Sequence, residues 1–173
     1  LPKLASQWVG AYALSEAGSG SDAFALTTRA VEDGDAYVLT GQKLWITNGA
    51  EADVFIVFAN VKPDAGYRGI TAFLVERGMA GFTVGKKEDK LGVRCSDTSE
   101  LIFEDCRIPA ENLLGQEGHG FIDTLRILDR GRIGIAAFSL GIAQACLEAS
   151  MRYARERRQF GHAIAEFQAV QHQ

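Results

Sequence analysis

Excess positive charge, paired cysteines and metal-spaced histidines are all missing from this chain, and each absence removes a class of function. Lysine and arginine total 18 against 22 aspartates and glutamates, a net charge of -4. Without a basic excess to displace condensed counterions, a nucleic-acid or other polyanion partner is not expected. The three cysteines, Cys95, Cys106 and Cys146, are odd in number and show no CxxC spacing. That argues against a disulfide framework and for reduced, intracellular thiols. His119, His162 and His172 have no metal-ligand spacing and read as surface or packing residues. No signal or transit peptide is read, although the chain need not begin at a natural start. What remains is ordinary for a soluble globular protein: 173 residues, 47% hydrophobic and 23% charged, enough for one domain or two.

From residue 9 to about 108 the pattern is β. Short runs rich in Val, Ile, Phe, Thr and Tyr alternate with Gly, Asp and Asn turns. Strands are expected over about 9–14, 26–31, 36–39, 54–59, 70–75, 82–84 and 99–103. Glu32-Asp-Gly-Asp35 reads as a hairpin with an Asp-Gly turn. Residues 54–59 are continuously apolar, as in a strand buried on both faces. The charge run Gly85-Lys-Lys-Glu-Asp-Lys90 reads as a solvated loop, and Ile108-Pro-Ala-Glu-Asn-Leu-Leu-Gly115 as a linker. Several short strands closed by tight turns predict a small barrel or sandwich. Residues 1–8 carry no usable signal.

The stretch on which the β region is organised is Tyr12-Ala-Leu-Ser-Glu-Ala-Gly-Ser-Gly-Ser-Asp22. Its small residues let a ligand approach the backbone, and successive free N–H groups can form an anion-friendly nest. Ser15 and Ser21 add hydroxyls. Taken alone it is equally a flexible hairpin connection. It is neither a dinucleotide fingerprint nor a P-loop, because no helix directly follows the glycines and no Gly-Lys-Ser/Thr occurs.

Near residue 118 the period changes. Phe121, Leu125 and Leu128, then Leu140, Ala143, Leu147, Met151 and Ala154, recur by threes and fours, predicting a helix over about 119–157. Such a helix would be roughly 58 Å long. No charge occurs between Arg132 and Glu148. That run is shorter than the roughly 20 residues a membrane span requires, yet a helix apolar all round must be covered all round. Only one further helix, over 166–173, is available in this chain. The chain is therefore expected to be a fragment, or to meet helices from elsewhere.

Four motifs in order carry a family resemblance across essentially the whole chain. Tyr12-x-Leu-Ser-Glu-x-Gly-x-Gly-Ser-Asp and Gly41-Gln-Lys-x-Trp-Ile-Thr-Asn-Gly49 resemble the middle domain of the acyl-CoA dehydrogenases. Leu128-Asp-Arg-Gly-Arg-Ile-Gly-Ile-Ala136 and Glu156-Arg-Arg-Gln-Phe-Gly161 resemble the start of that family's C-terminal domain. The resemblance implies an α+β multidomain fold. An all-β barrel middle domain over 1–112 would be followed by the first long helices of an all-α up-down bundle over 113–173, the N-terminal helical domain being absent. It implies FAD as cofactor, an acyl-CoA substrate, electron-transferring flavoprotein as electron acceptor, and a homo-oligomer, tetramer or dimer. Such a protein would work in the bacterial cytoplasm or mitochondrial matrix, without a membrane span.

Site residues follow by motif position. Tyr12, Leu14, Ser15, Gly20 and Ser21 would line the flavin, with Ser15 bonding to its ring and Ser21 also meeting the substrate. Trp45, Ile46 and Thr47 would flank the isoalloxazine, the indole packing on it and the hydroxyl reaching its reactive edge. By itself Trp45 reads first as a core tryptophan in a strand, and the matched Gly-Gln-Lys-x-Trp-Ile-Thr-Asn-Gly context reverses that. Asp129, Arg130, Gly131 and Arg132 would meet the CoA pantetheine arm, although Asp129 and Arg132, three apart, could simply pair along the helix. Arg157 would bind the FAD pyrophosphate of a neighbouring subunit, or be a solvated charge. Gln159, Phe160 and Gln168 would lie at the same FAD.

The implied reaction is α,β-dehydrogenation, a carboxylate taking the α-proton while the β-hydrogen leaves as hydride. Hydrogen bonds to the thioester carbonyl would stabilise the enolate-like charge. In most of the family the base lies late in the C-terminal domain; in some members it stands where this chain has Gly131. No catalytic base is therefore expected within these residues, and this portion alone should be inactive. The Asp-x-Gly-Arg-Ile-Gly-Ile-Ala run looks most like short- or branched-chain members. Two other readings are a flavin monooxygenase or oxidase on the same fold, and a non-catalytic module that docks partner helices. A DNA-binding relative would need a basic face.

Overall fold

A computed structural model describes residues 1–172 and divides into two compact units, Leu1–Thr124 and Leu125–Gln173. The first is built on one mixed sheet. Its strands are β1 (Gly10–Ala13), β2 (Arg29–Asp33), β3 (Ala36–Thr47), β4 (Val54–Asn60), β5 (Ile70–Glu76), β6 (Phe82–Lys87), β7 (Thr98–Pro109) and β8 (Leu113–Leu114). They lie in the order β6-β7-β3-β2-β4-β5-β8, with β1 also on β4. The β1–β4 and β2–β4 pairings are parallel and the others antiparallel. A short helix, α1 (Pro2–Ser6), precedes them, opened by the proline in its first turn.

Central strand β4 explains the layering. Its residues alternate between two apolar clusters, Phe55, Val57 and Ala59 facing one and Ile56 and Phe58 the other. The continuous apolar run thus marks a strand covered on both faces, as its sequence predicts. The larger cluster gathers residues from all the long strands, including Leu39, Phe73, Phe82, Leu101 and Phe103. Phe82 of β6 packs edge-on against Phe55 of β4 at 4.8 Å, and Tyr37 of β3 lies 5.0 Å from Phe73 of β5. Since these strands are not hydrogen-bonded neighbours, the sheet curls around its core. Burying each phenylalanine contributes about 2–3 kcal/mol.

Several boundaries differ from the sequence expectations for local reasons. The β2–β3 hairpin turns on Gly34-Asp35, with Gly34 at φ 65, so the glycine is the first turn residue rather than the second. β2 begins only at Arg29, because the N–H groups of Thr27 and Thr28 are taken by the Glu16 carboxylate. β3 and β7 each run for 12 residues, β3 passing through two register shifts that let it continue across Gly41 and Trp45. The charge run is partly strand: Lys87 pairs with Ser99, and Glu88 N–H donates to the Thr98 carbonyl at 2.9 Å. The linker is likewise bound down, with Leu113 and Leu114 pairing with β5.

The long helix, α2 (Gly120–Glu156), has 37 residues, about 56 Å. Its first turn belongs to the β unit. Gly118 N–H donates to Thr71 Oγ1 at 2.9 Å, and Gly120 presses so closely on Ile70 and Thr71 that a Cβ there would lie 2.9 Å from a carbonyl oxygen. In the second unit, residues 125–153 of α2 are all exposed. The charge-free run is shorter than a membrane span, but α2 as a whole is long and apolar enough to cross a bilayer by length and composition. A core helix of a soluble helical domain has the same composition. After α2 come β9 (Arg158–Gln159) and β10 (His162–Ala163), a two-stranded hairpin, and α3 (Gln168–Gln171). The helix expected over 166–173 is thus a short 3-10 turn, Ile164–Glu166, followed by α3, and Gln173 lies outside the described residues.

Candidate functional site

The small-residue loop leaves β1 at Ala13 and is pinned at once. Leu14 is buried and its carbonyl accepts from Lys43 Nζ at 3.0 Å. Glu16 then turns inward. Its carboxylate accepts from Thr27 N–H (2.6 Å), Thr27 Oγ1 (2.7 Å), Thr28 N–H (3.1 Å), Thr28 Oγ1 (2.6 Å) and Lys43 Nζ (2.8 Å). Burial alone would raise the Glu16 pKa, but the Lys43 charge and these donors outweigh it and hold the carboxyl at about 2. Lys43 is wholly buried, and desolvation lowers its pKa to about 8 against the opposing pull of Glu16. Between these values the two form an interior ion pair.

Beyond Glu16 the loop turns back on itself, Glu16 and Ser19 exchanging backbone hydrogen bonds at 3.0 and 3.1 Å. Ser19 is buried and donates to the Asp22 carbonyl. Gly18, Gly20 and Ser21 are exposed, and a Cβ on either glycine would meet nothing within 4 Å. A rigid base therefore carries an open rim. Tyr12, half-buried, lies 5.1 Å from the Phe58 ring and donates to Thr124 Oγ1 at 3.3 Å. Burial raises its pKa, with the Thr124 bond opposing.

The second half of the site is the bulge at the end of β3. Leu44 N–H donates to the Ser15 carbonyl at 2.9 Å, setting loop and bulge side by side. Trp45 then takes φ 58, a conformation that costs a bulky residue about 1–3 kcal/mol. Trp45 stands 54% exposed and outside both apolar clusters of this unit, while Ile46 returns to the core and Thr47 faces solvent. The following turn is held by Asp97, which accepts from Ala50 N–H at 2.6 Å and from Ser99 Oγ, and pairs with Lys87 at 3.3 Å. Burial raises the Asp97 pKa less than these partners lower it. Leu14 and Ile46 point into core, so only their backbone is available to a ligand.

The remaining predicted residues lie in the second unit. Asp129, Arg130, Gly131 and Arg132 are exposed on α2, and among the described residues no ion pair joins Asp129 to Arg132. The β9–β10 hairpin turns through Phe160 (φ 53) and Gly161 (φ 81). Ile164 N–H donates to the Arg157 carbonyl at 2.9 Å, and Phe160 meets Phe167 edge-on at 6.3 Å. This fold-back gathers Arg157, Gln159, Phe160 and Gln168 into one short segment. Among the described residues no cluster of His, Cys, Asp and Glu could hold a metal ion.

Residues 11–106 match the family model for the acyl-CoA dehydrogenase middle domain. The chain belongs to the acyl-CoA dehydrogenase family. Residues 118–173 match the acyl-CoA dehydrogenase C-terminal domain. The whole chain is 51% identical to the rat (Rattus norvegicus) mitochondrial short/branched chain specific acyl-CoA dehydrogenase, of which it covers 40%. It superposes on butyryl-CoA dehydrogenase from Megasphaera elsdenii with a TM-score of 0.91 at 48% identity, covering 95% of this chain and 43% of that one. A structure concerned with the electron transferring flavoprotein of Acidaminococcus fermentans and flavin-based electron bifurcation holds a chain with TM-score 0.92 and 53% identity, over 95% of this chain and 43% of that one. This chain thus spans about 40% of the length of the curated relatives it matches.

The family implies a flavin, and this acyl-CoA dehydrogenase chain offers groups that fit one. An exposed indole suits a flat ring, with Ser15, Ser21 and Thr47 hydroxyls and an open glycine rim nearby in sequence and fold. What sequence reasoning missed is the brace beneath: Glu16, Lys43 and Asp97. The available signal was Lys43, a charge flanked by the apolar strand positions Leu39 and Ile46.

Proposed function

We infer that the protein to which this chain contributes catalyses FAD-dependent α,β-dehydrogenation of a short- or branched-chain acyl-CoA to the trans-2-enoyl-CoA. The observation that carries the reading is the exposed Trp45 indole, held in a strained bulge whose Leu44 N–H is bonded to the Ser15 carbonyl of the small-residue loop. Similarity to the rat short/branched-chain enzyme and to butyryl-CoA dehydrogenase supports the substrate class.

In this reading Tyr12, Leu14, Ser15, Gly20, Ser21, Trp45, Ile46 and Thr47 hold and orient the isoalloxazine. Arg157, Gln159, Phe160 and Gln168 meet the FAD of a neighbouring subunit in a homo-oligomer. Ser21 and Asp129, Arg130, Gly131 and Arg132 line the substrate arm. When bound, FAD supplies the acceptor for the β-hydrogen and its electron pair. The α-proton needs a carboxylate base, and Glu16 does not qualify, since five hydrogen bonds hold it ionised and buried. Gly131 offers no carboxylate, so the base stands elsewhere in the protein. In this reading electron-transferring flavoprotein takes the electrons, and the protein works in the bacterial cytoplasm or mitochondrial matrix.

Anaerobic titration of the full-length flavoprotein with a panel of acyl-CoAs tests this. Bleaching of the oxidised-flavin absorbance by short or branched chains is the expected result. A yellow protein that no acyl-CoA bleaches would move the chemistry to oxygen activation. A protein that takes up no FAD would leave only helix docking.

A further inference from the structure

Two consecutive residues near the end of β3 grip three consecutive residues of the loop. Lys43 Nζ reaches the Leu14 carbonyl at 3.0 Å and the Glu16 carboxylate at 2.8 Å, and Leu44 N–H reaches the Ser15 carbonyl at 2.9 Å. Trp45 follows directly, with its backbone in the left-handed region. Glu16 in turn holds the loop's far end, through both the N–H and hydroxyl of Thr27 and of Thr28. One ammonium therefore meets both strands of the clasp: it anchors where the loop starts, and through Glu16 where it ends.

The chemistry of this clasp is unusual for a core. Lys43 is fully buried, alongside large side chains that are otherwise apolar, such as Phe55, Phe58, Phe73 and Phe103. An interior ion pair is seldom a better source of stability than well-packed apolar residues, because desolvating two charges cancels much of their attraction. What it does supply is direction. An apolar pair would let the loop slide, whereas a carboxylate with five fixed donors and an ammonium bonded to a specific carbonyl admit one register. The open rim needs such a base: Gly18, Gly20 and Ser21 are exposed and have no packing of their own to locate them.

We propose that Lys43, acting through Glu16, is a positioning residue of the flavin site: it fixes the loop at Leu14–Glu16 against Trp45 and so sets the orientation in which the ring is held. The proposal rests on the FAD reading above. It assigns Lys43 no contact with substrate or flavin; its effect passes through the loop and the indole.

The test uses the full-length holoprotein and two variants. Lys43→Met keeps the aliphatic stem and removes the ammonium. Glu16→Asp keeps the charge and withdraws the carboxylate by one methylene. Expected for both are an FAD dissociation constant raised by about tenfold or more, an altered visible circular dichroism of the bound flavin, and a lowered kcat per bound flavin. The acyl-CoA KM should change less than the FAD dissociation constant, because Asp129, Arg130, Gly131 and Arg132 are untouched and only Ser21 of the substrate arm sits on the loop. Variants that melt earlier yet keep the wild-type flavin dichroism and kcat per bound flavin would overturn the proposal and leave the pair a stability element. Should Lys43→Met fail to fold, Glu16→Asp decides by the same readouts. A wild-type protein that binds no FAD would overturn the cofactor reading itself, and that outcome is seen before any variant is made.

Discussion

Acid should dismantle the clasp through Glu16, and the loss can be sized. The Glu16 carboxyl falls from 4.5 to about 2 on folding. At about 1.4 kcal/mol per unit, that is on the order of 3 kcal/mol of stability. Its sign follows from the proton count. Between pH 4.5 and 2 the unfolded chain binds the proton that the folded chain refuses, so stability is fully present above about 4.5 and drains away as pH falls toward 2. That figure already contains the attraction of the Lys43 ammonium, which is among the causes of the lowered pKa. The assay is urea unfolding of the flavin-free full-length protein between pH 3 and 7, for wild type and Glu16→Gln. Other carboxylates titrate alike in both, so their contributions cancel in the difference. That difference should be about 3 kcal/mol or more at pH 7 and shrink steadily below pH 4.5. A gap of the same size at pH 3 and pH 7 would refute the reasoning, because the variant would then be reporting lost packing and not a lost charge. Lys43 has the opposite window: with its folded pKa at about 8, the unfolded chain binds more protons from there up to 10.5, and its contribution to stability rises with pH across that range.

Three substitutions test the frame around the clasp. Phe73→Ala, at a fully buried position between β4 and β8, should cost about 3–5 kcal/mol, read as a shift of the urea midpoint at constant m-value. Gly41→Ala should cost about 3 kcal/mol, since φ 151 is unfavourable and the new Cβ would lie 2.7 Å from the Thr28 Cα, which cannot retreat while Thr28 is bonded to Glu16; a near-neutral result would mean that β3 shifts freely. Trp45→Gly should leave the flavin-free protein as stable or up to about 1 kcal/mol more so, because it relieves the strained backbone, while FAD binding weakens. A large loss of stability instead would make the indole a packing residue.

The legible parts of this chain were those written in local pattern. The apolar run of β4, the glycine turn at Gly34 and the helical spacing from Phe121 onward each state their structure within a few residues. The family motifs named the loop and bulge residues but not what holds them. Glu16 and Lys43 are 27 residues apart, and nothing near either says that they meet. The same long-range pair explains a local error: Thr27 and Thr28 have strand-like side chains, but their N–H groups go to Glu16 and so cannot enter the ladder until Arg29. Short elements were illegible for a different reason. α1, β8, β9 and β10 have five residues or fewer, too few for any period to show.

The exposed length of α2 sets a last constraint. Ile133, Ile135, Phe138, Leu140, Ile142 and Leu147 each stand half exposed or more, on a stretch with no charge from 133 to 147. At about 1.5–3 kcal/mol for each such side chain, water contact forfeits on the order of 10 kcal/mol, as much as the whole stability of a typical domain. Nothing within residues 125–172 covers that surface, since the short hairpin and α3 leave residues 125–153 bare. A surface of this size is an interface, in a helical domain or between subunits. Residues 1–173 expressed alone should therefore self-associate at micromolar concentration and bind a hydrophobic dye. Residues 1–124, which carry both apolar clusters of the β unit, should sediment as a monomer. If the longer piece is the monomer and excludes the dye, α2 has found cover that this structure does not describe, and the argument from its apolar composition fails.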